Sequence, residues 1–295
     1  MSGLLPQEFD RPLEACPLCS FPSIRPYDRD YRGITISRCC RCGVKFMNPQ
    51  YTDAYLSTFY AQYITPDPPF GPGPQHAVIG LQRRAENCAM IEEWVAVGRL
   101  FSIGCGQGLE LQIARQRGWV VEGYDVDPAT TRRLSHELDI PIYTGDLCQL
   151  GLPGATYDCV FLDQVLEHPK QPRKCLQEAH RLLRPGGVLF IGCPNIMSLA
   201  SAAKALLERL RLRRRSRGRY YGTQHHLFYF SPGVLRRLLE RYYGFQVLRV
   251  QGDPLIGKKE YPNPLYTYLS RRLPWLDSTF QLLARKQAAH PRAVV

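Results

Sequence analysis

Seven short apolar runs recur along the chain, separated by longer stretches in which apolar residues return every three or four positions. The short runs are typical of buried strands and the longer stretches of amphipathic helices. Strands that alternate with helices predict an α/β fold with a doubly wound, Rossmann-like sheet of seven strands. The runs begin at Leu100, Val120, Pro141, Tyr157, Val188, Phe245 and Thr279.

A glycine turn joins the first run to the helix that follows it, with glycines at Gly104, Gly106 and Gly108. Glycines let the backbone come close to a ligand, and the helix start offers free N–H groups beside it. The second run ends at Asp125, about twenty residues after the first glycine, where a carboxylate can accept hydrogen bonds from the hydroxyls of a ribose. The pattern therefore predicts a cofactor that contains a nucleoside.

The glycine spacing separates two cofactor classes. The dinucleotide fingerprint is G-x-G-x-x-G/A, but here its last position is Leu109, which would hinder close contact of helix and strand. The pattern present, G-x-G-x-G, argues against a nicotinamide-dependent oxidoreductase. A tight turn without any ligand remains the alternative, and Asp125 weighs against it.

Two C-x-x-C pairs near the N-terminus predict a zinc ribbon or knuckle that is structural rather than catalytic. The adjacent Cys40 could replace Cys39 as a ligand. The alternative interpretation is that these cysteines are free cytosolic thiols. The predicted ligands are Cys16, Cys19, Cys39 and Cys42.

The chain divides into segments of distinct composition. We predict a zinc module over 1–50, a tyrosine-rich segment and Pro/Gly linker over 51–75, a cofactor-binding domain over 76–286 and a flexible tail over 287–295. Within the domain we expect a helix over 76–97 and a turn at 184–187. The tyrosines should pack the module against the domain, with a substrate-facing role for Tyr60 or Tyr63 as the alternative.

A basic insert over 195–224 carries much of the formal net charge of +12, since seven arginines lie between residues 209 and 219. The part before them predicts a helix with an apolar face. Three interpretations stay open: a solvated lid, a contact with an anionic membrane or lipid-linked phosphate through 199–219, and a strip that binds RNA phosphates.

Later motifs complete a resemblance to the class I S-adenosylmethionine-dependent methyltransferases. IGCGQG, GYD, GDL, YDCVFLDQVLEH and LLRPGGVLFIGCPN are similar to their successive motifs. QHHLFYFSPGVLRRLLERYYGF resembles the branch of ubiquinone-biosynthesis O-methyltransferases and sugar and natural-product methyltransferases. The cysteine motif is similar to a zinc module in some of these enzymes. The chain is too short for the additional C-terminal domain of the sugar C-methyltransferases.

The resemblance implies S-adenosylmethionine as cofactor, zinc as a structural ion and a last strand antiparallel to its neighbour. Ser102 departs from the family, which commonly has an acid there, so the hydrogen bonds of that acid are weakened or rerouted. Gly104, Cys105 and Gly106 would face the methionine part, Asp125 the ribose, and Asp146 and Leu147 the adenine. The full set of predicted cofactor residues is Ser102, Gly104, Cys105, Gly106, Gly108, Asp125, Val126, Asp146, Leu147 and Gln164.

Methyl transfer to an oxygen needs a base that takes the acceptor's proton. His226 is the first candidate, with His225 and His168 as weaker ones. We expect methyl transfer to an oxygen or carbon of a small-molecule, sugar or lipid-linked acceptor. The alternatives are a zinc-containing RNA base methyltransferase and a non-catalytic binding protein on the same fold.

The N-terminus shows no signal peptide, and no apolar stretch approaches the length of a membrane span. The expected location is therefore the cytoplasm, with a peripheral contact at the inner face of a membrane as a further expectation.

Overall fold

A computed structural model describes residues 8–30, 32–63, 74–210, 221–256, 258 and 261–288. The predicted linker, most of the arginine-rich run and the end of the tail lie outside these ranges. No described helix combines the length and apolar character needed to cross a bilayer.

The main sheet has seven strands in the order β10-β11-β8-β7-β4-β5-β6. β11 is antiparallel to both of its neighbours, and the strands from β8 to β6 are parallel to one another. The predicted doubly wound sheet is thus confirmed, including its antiparallel last strand. Its strands are β4 Arg99–Ile103, β5 Val120–Tyr124, β6 Ile142–Tyr143, β7 Tyr157–Asp163, β8 Leu183–Pro194, β10 Phe245–Gly252 and β11 Thr279–Lys286.

Helices cover both faces of this sheet, and local sequence explains where several of them begin. Asp127 caps α4 by accepting hydrogen bonds from two backbone N–H groups, and a proline occupies the first turn. Proline also begins α5, α7 and α8, where its missing N–H costs nothing. The helices are α1 Asp53–Tyr63, α2 Pro74–Glu92, α3 Leu109–Gln116, α4 Pro128–Leu138, α5 Pro172–Leu182, α6 Leu199–Arg209, α7 Pro232–Tyr242 and α8 Pro264–Arg272.

A second sheet has four strands, three from before the glycine turn in the chain and one from after β8. It consists of β1 Ile24–Arg29, β2 Thr35–Cys39, β3 Lys45–Met47 and β9 Phe228–Tyr229. β9 comes from the far end of the chain and pairs with β3 through Phe46 and Phe228. One apolar core runs from the cysteine module into the main domain. The module is therefore built into the domain, although the predicted boundary at residue 50 stays a prediction.

Two local predictions were wrong in detail. The helix expected over 76–97 ends at Glu92, because the chain turns at residues 93–98 before β4. The turn expected at 184–187 lies inside β8. β7 and β8 pair at Tyr157↔Leu183 and then at Cys159↔Val188, so the extra residues bulge out without ending the strand.

Candidate active site

A cavity of about 430 Å³ opens where β4 and β7 end side by side. In open α/β sheets this carboxyl edge is where ligands bind. The walls come from the turn after β4, the start of α3, the turn after β7, one residue of α2 and the histidine pair before β9. The lining residues are Arg84, Gly104, Cys105, Gly106, Gln107, Leu109, Glu110, Asp163, Gln164, Glu167, His168, His225 and His226.

The glycine turn is rigidly placed. The N–H groups of Gly104 and Cys105 both donate to the Tyr124 carbonyl, at 2.7 and 3.0 Å. Gly104 has a φ of +71°, and a Cβ there would lie 2.5 Å from the Val165 side chain. Gly106 has a φ of +50° and no atom within 4 Å of such a Cβ. The turn thus needs glycine for backbone conformation at both positions and for space at Gly104.

Asp125 is tied to the glycine turn. Its carboxylate accepts hydrogen bonds from the N–H of Gly106 at 2.8 Å and of Asp127 at 3.1 Å. Burial raises the pKa of this carboxyl, and the backbone donors oppose that shift. Each carboxylate oxygen keeps a free lone pair, so the group is oriented and can accept further hydrogen bonds from a ligand.

Ser102 contacts a carboxylate that comes from the next helix. Ser102 Oγ donates to Glu110 Oε1 at 3.0 Å, and Glu110 is buried in the cavity wall at the first turn of α3. Arg84 lies on the other side, 3.7 Å from Glu110 through its Nε. That Nε has no hydrogen-bond partner within the described ranges. A carboxylate and a guanidinium with spare bonding capacity therefore share one end of the cavity.

A buried ion pair holds α2 against the sheet beneath this end. Arg83 donates two hydrogen bonds to Asp163, at 2.5 and 2.7 Å, and one to Asp253 at 2.6 Å. Burial disfavours the charge on Asp163, but the Arg83 guanidinium outweighs it and lowers the pKa. The neighbouring Arg84 is thus positioned by a fixed helix.

Three histidines and a glutamate form the opposite end of the cavity. A hydrogen bond of 3.2 Å joins His168 Nδ1 to the Tyr60 hydroxyl, and the His168 and His225 rings stack at 5.4 Å. The His226 ring lies edge-on to both, with centroids 4.9 and 4.2 Å away. The three candidate bases predicted from the sequence are thus neighbours, although none is shown to be a base.

Burial sets the protonation of this cluster. It lowers the pKa of His168 and His225 to about 4 and that of His226 well below its usual value. Burial also raises the pKa of Glu167 to about 8. At neutral pH the imidazoles are therefore uncharged, so each keeps one ring nitrogen that can accept a hydrogen bond, and they are weaker bases than a free imidazole, while the carboxyl is protonated.

One subset of the cluster has the spacing of a metal site. Single ligand atoms of Glu167, His168 and His226 lie within 4.8 Å of one another. Within the described chain, Glu167 Oε1 is buried without a hydrogen-bond partner. Two uncharged imidazoles, and a carboxyl group that would lose its proton to the metal, could ligate a divalent cation.

The histidine segment is held in place by the N-terminal module. The Tyr51 hydroxyl donates to the Thr223 carbonyl at 2.9 Å, and Arg32 donates to Thr223 Oγ1 at 2.8 Å. On its other side, the N–H groups of Leu227 and Phe228 donate to the Glu167 carbonyl. The position of the histidines therefore depends on the N-terminal module and on the turn after β7.

The four predicted zinc ligands meet in one buried cluster. Cys16 Sγ lies 3.7 Å from Cys42 Sγ, and Cys19 Sγ lies 3.6 Å from Cys39 Sγ. Sulfurs around a tetrahedral zinc, at about 2.3 Å from the ion, are roughly 3.8 Å apart. Cys40 is exposed and outside the cluster. The thiols present thus fit a structural zinc ion.

The structure places the predicted cofactor residues in several different positions around the cavity. Gly104, Cys105, Gly106 and Gln164 line the cavity. Ser102 and Asp125 support that wall by hydrogen bonds, and Gly108 starts α3 against Leu134. Val126 is exposed after β5, while Asp146 caps the turn that contains Leu147. Their roles toward a cofactor stay predictions.

Sequence reasoning missed Arg84, Glu110 and Glu167. Glu110 could have been found from the sequence, because a helix that starts directly after the glycine turn places the carboxylate of its first turn beside that turn. Arg84 had none, since its helix contacts the cavity only through tertiary packing.

Comparison with known proteins identifies the family. Residues 80–250 match the family described as "Methyltransferase domain". The chain therefore belongs to this methyltransferase domain family, and its main sheet is the class I methyltransferase fold, as the motifs indicated.

Three curated relatives each match part of this chain. A Mycolicibacterium smegmatis protein named "Probable S-adenosylmethionine-dependent methyltransferase" is 34% identical over 41% of this chain and 44% of its own. A ubiquinone biosynthesis O-methyltransferase of Pseudomonas aeruginosa is 31% identical over 33% and 44%. A mouse thiol S-methyltransferase is 37% identical over 31% and 40%. The chain spans less than half the length of each of these relatives.

Solved structures agree on the fold alone. The Burkholderia thailandensis 1,6-didemethyltoxoflavin-N1-methyltransferase, solved with its substrate and S-adenosylhomocysteine, is 16% identical, with a TM-score of 0.52 over 89% of this chain and 99% of its own. An S-adenosylmethionine-dependent methyltransferase from Mesorhizobium loti gives 20% and 0.50 over 70% and 100%.

Proposed function

We propose that this protein is an S-adenosylmethionine-dependent methyltransferase that transfers a methyl group to an oxygen, or a carbon, of a small-molecule, sugar or lipid-linked acceptor. One observation carries the proposal. A single cavity has a glycine turn with an arginine and a carboxylate at one end and a cluster of uncharged histidines at the other. Family membership and the named relatives support the reaction class.

The cofactor end suits the charged amino-acid part of such a nucleoside. The guanidinium of Arg84, whose Nε pairs with Glu110 at 3.7 Å without a hydrogen bond in the described ranges, could bind a carboxylate, and Glu110 could bind an ammonium group. Asp125 would bind the ribose hydroxyls, and Asp146 and Leu147 would lie toward the adenine. When bound, the cofactor supplies an electrophilic methyl group on a sulfonium.

The histidine end suits the acceptor. A hydroxyl must lose its proton when it attacks, and a neutral imidazole can take that proton. His226 is our first candidate for this base. His168 is held by Tyr60 and the His225 carbonyl, which favours an orienting role for it. The rest of the rate gain would come from holding the acceptor in line with the methyl group.

Calorimetric titration of the zinc-loaded protein with S-adenosylmethionine, S-adenosylhomocysteine and NADH tests the proposal. We expect the two sulfur nucleosides to bind and NADH not to bind. Asp125→Ala should weaken that binding by about tenfold or more, since charge-assisted hydrogen bonds contribute about 1.5–3 kcal/mol. Glu137→Ala, an exposed change on α4, is the matched control. If the folded protein binds neither nucleoside, the methyltransferase proposal is refuted and a non-catalytic binding protein on the same fold becomes the better account.

A further inference from the structure

Exposed large apolar side chains concentrate in two segments of the molecule. Of the eighteen such residues in the described chain, eleven lie in segments 197–210 and 261–275. The group, which we call the α6–α8 surface, contains aromatic residues as well as leucines. Its members are Met197, Leu199, Leu206, Leu207, Leu210, Tyr261, Leu265, Tyr268, Leu269, Leu273 and Trp275.

The two segments meet at one edge of the main sheet. β8 ends at Pro194 and leads into α6, and Thr279, at the start of β11, pairs with Pro194. Asn195 then joins the segments by donating from its side chain to the carbonyls of Pro274 at 2.9 Å and Asp277 at 3.2 Å. α6 also contacts residues 274–276, so the two segments adjoin at the same carboxyl edge where the cavity opens.

The apolar face of α8 faces outward because its other face is anchored. Ser270 is fully buried and donates to Asp277, and Tyr266 donates to the same carboxyl group. Leu265, Tyr268 and Leu269 then lie on the exposed side at helical spacing. Such a face has no packing partner within the chain that the structure describes.

By sequence, most of the protein's excess positive charge lies in two longer stretches that contain and flank these segments. Residues 195–224 and 254–276 together contain twelve lysines and arginines and two glutamates, which is +10 of the formal net charge of +12. Part of this charge lies in residues outside the described ranges and counts here by sequence only. Among described residues, the Arg272 guanidinium lies 4.6 Å from the centre of the exposed Tyr268 ring.

We propose that the α6–α8 surface binds an anionic lipid bilayer. Leucines, tyrosines and a tryptophan bordered by arginines match the interface between acyl chains and negatively charged headgroups. A second copy of the chain is disfavoured because two surfaces of this charge repel each other. RNA would use the charge but leave the apolar side chains exposed.

The placement of the surface extends the proposed function, on which this step rests. A bilayer bound at the carboxyl edge faces the side of the sheet where the cavity opens. The acceptor would then be a lipid or a lipid-linked molecule with its nucleophile near the headgroups.

Vesicle flotation with the full-length, zinc-loaded protein tests the surface. We expect binding to phosphatidylcholine vesicles that contain phosphatidylglycerol, much weaker binding to phosphatidylcholine alone, and loss of binding at high salt. The double variant Leu206→Asp/Trp275→Asp should reduce binding by about tenfold or more. Each change puts a negative charge where an apolar side chain would enter the bilayer. The matched control is Val97→Asp/Val120→Asp, which alters exposed valines at the opposite edge of the sheet.

Each remaining outcome overturns the proposal. Equal binding by the two double variants would show that this surface is not used. Dimers that the Leu206→Asp/Trp275→Asp change abolishes would assign the surface to a second copy, and salt-sensitive RNA binding without vesicle binding would assign it to nucleic acid. Titration with S-adenosylhomocysteine in the same variant separates these results from the proposed reaction, because that affinity should not change.

Discussion

At the scale of single residues, the most informative position is Ser102, where the family's acid is absent. In the structure the Ser102 hydroxyl donates a hydrogen bond to the carboxylate of Glu110, which lies in the first turn of α3. Burial raises the pKa of Glu110, so its charged form is destabilised until a cation binds. We therefore expect Glu110 to take the role toward the cofactor that the resemblance assigned to an acid at position 102.

Glu110→Gln should weaken S-adenosylhomocysteine binding by about tenfold, because a hydrogen bond to a charged group contributes about 1.5–3 kcal/mol. Ser102→Asp added to that variant should restore most of the affinity, since it returns the acid to the family's position. Calorimetry measures both, and the wild-type affinity should fall as the pH drops through the raised pKa while that of Glu110→Gln stays flat. A double variant as weak as the single one would contradict this account.

Glu167 gives a second prediction, on stability. Its folded pKa of about 8 lies above the unfolded value of about 4.5, so its contribution to stability is present below the unfolded pKa and is lost as the pH rises through the folded one. Between those values the loss is at most about 1.4 kcal/mol per pH unit.

Urea denaturation at pH 6 and pH 8 should therefore show a smaller pH dependence for Glu167→Gln than for the wild type. The exposed Glu240→Gln serves as the control, and an unchanged slope in the Glu167 variant would show that the carboxyl is not buried as described.

At the scale of elements, β9 shows what a sequence cannot reveal. Its two residues, Phe228 and Tyr229, are too few to show any period, and their partner strand β3 has three. The seven strands of the main sheet were predictable because each has an apolar run of its own or a clear flanking turn. The histidines were recognised by their motif, but their meeting with Glu167 and Tyr60 depends on this unpredicted strand pair.

The same strand pair links the metal cluster to the histidine segment. Cys39→Ser should release zinc, unfold the small sheet and remove the amide-exchange protection of residues 225–229, because a structural zinc contributes about 10 kcal/mol or more to the folding of a small module. Methyl transfer should be lost as well.

Cys40→Ser is the matched control, since this exposed neighbour lies outside the cluster. Metal analysis and hydrogen exchange check both variants. Retained zinc in Cys39→Ser with loss in Cys40→Ser would reverse the ligand assignment, and unchanged protection of 225–229 would separate the cluster from the active site.

At the scale of the whole molecule, charge and topology coincide. The sequence indicated both the basic insert and a short helix within 262–276, but a nine-residue helix with four apolar residues does not by itself show which face stays exposed. Only the fold brings the described parts of the two segments to the same edge of the sheet.

The pairing of β3 with β9 also sets an order of events during synthesis. Phe46 and Phe228 pair although 181 residues lie between them. At about 5–20 residues per second, the ribosome needs roughly 10–40 s to supply the missing strand. Through that interval the edge of β3 is unpaired and open to other chains. Early capture of the metal by the four thiols would keep the first three strands together until the last one arrives, so metal supply would govern the yield of folded protein.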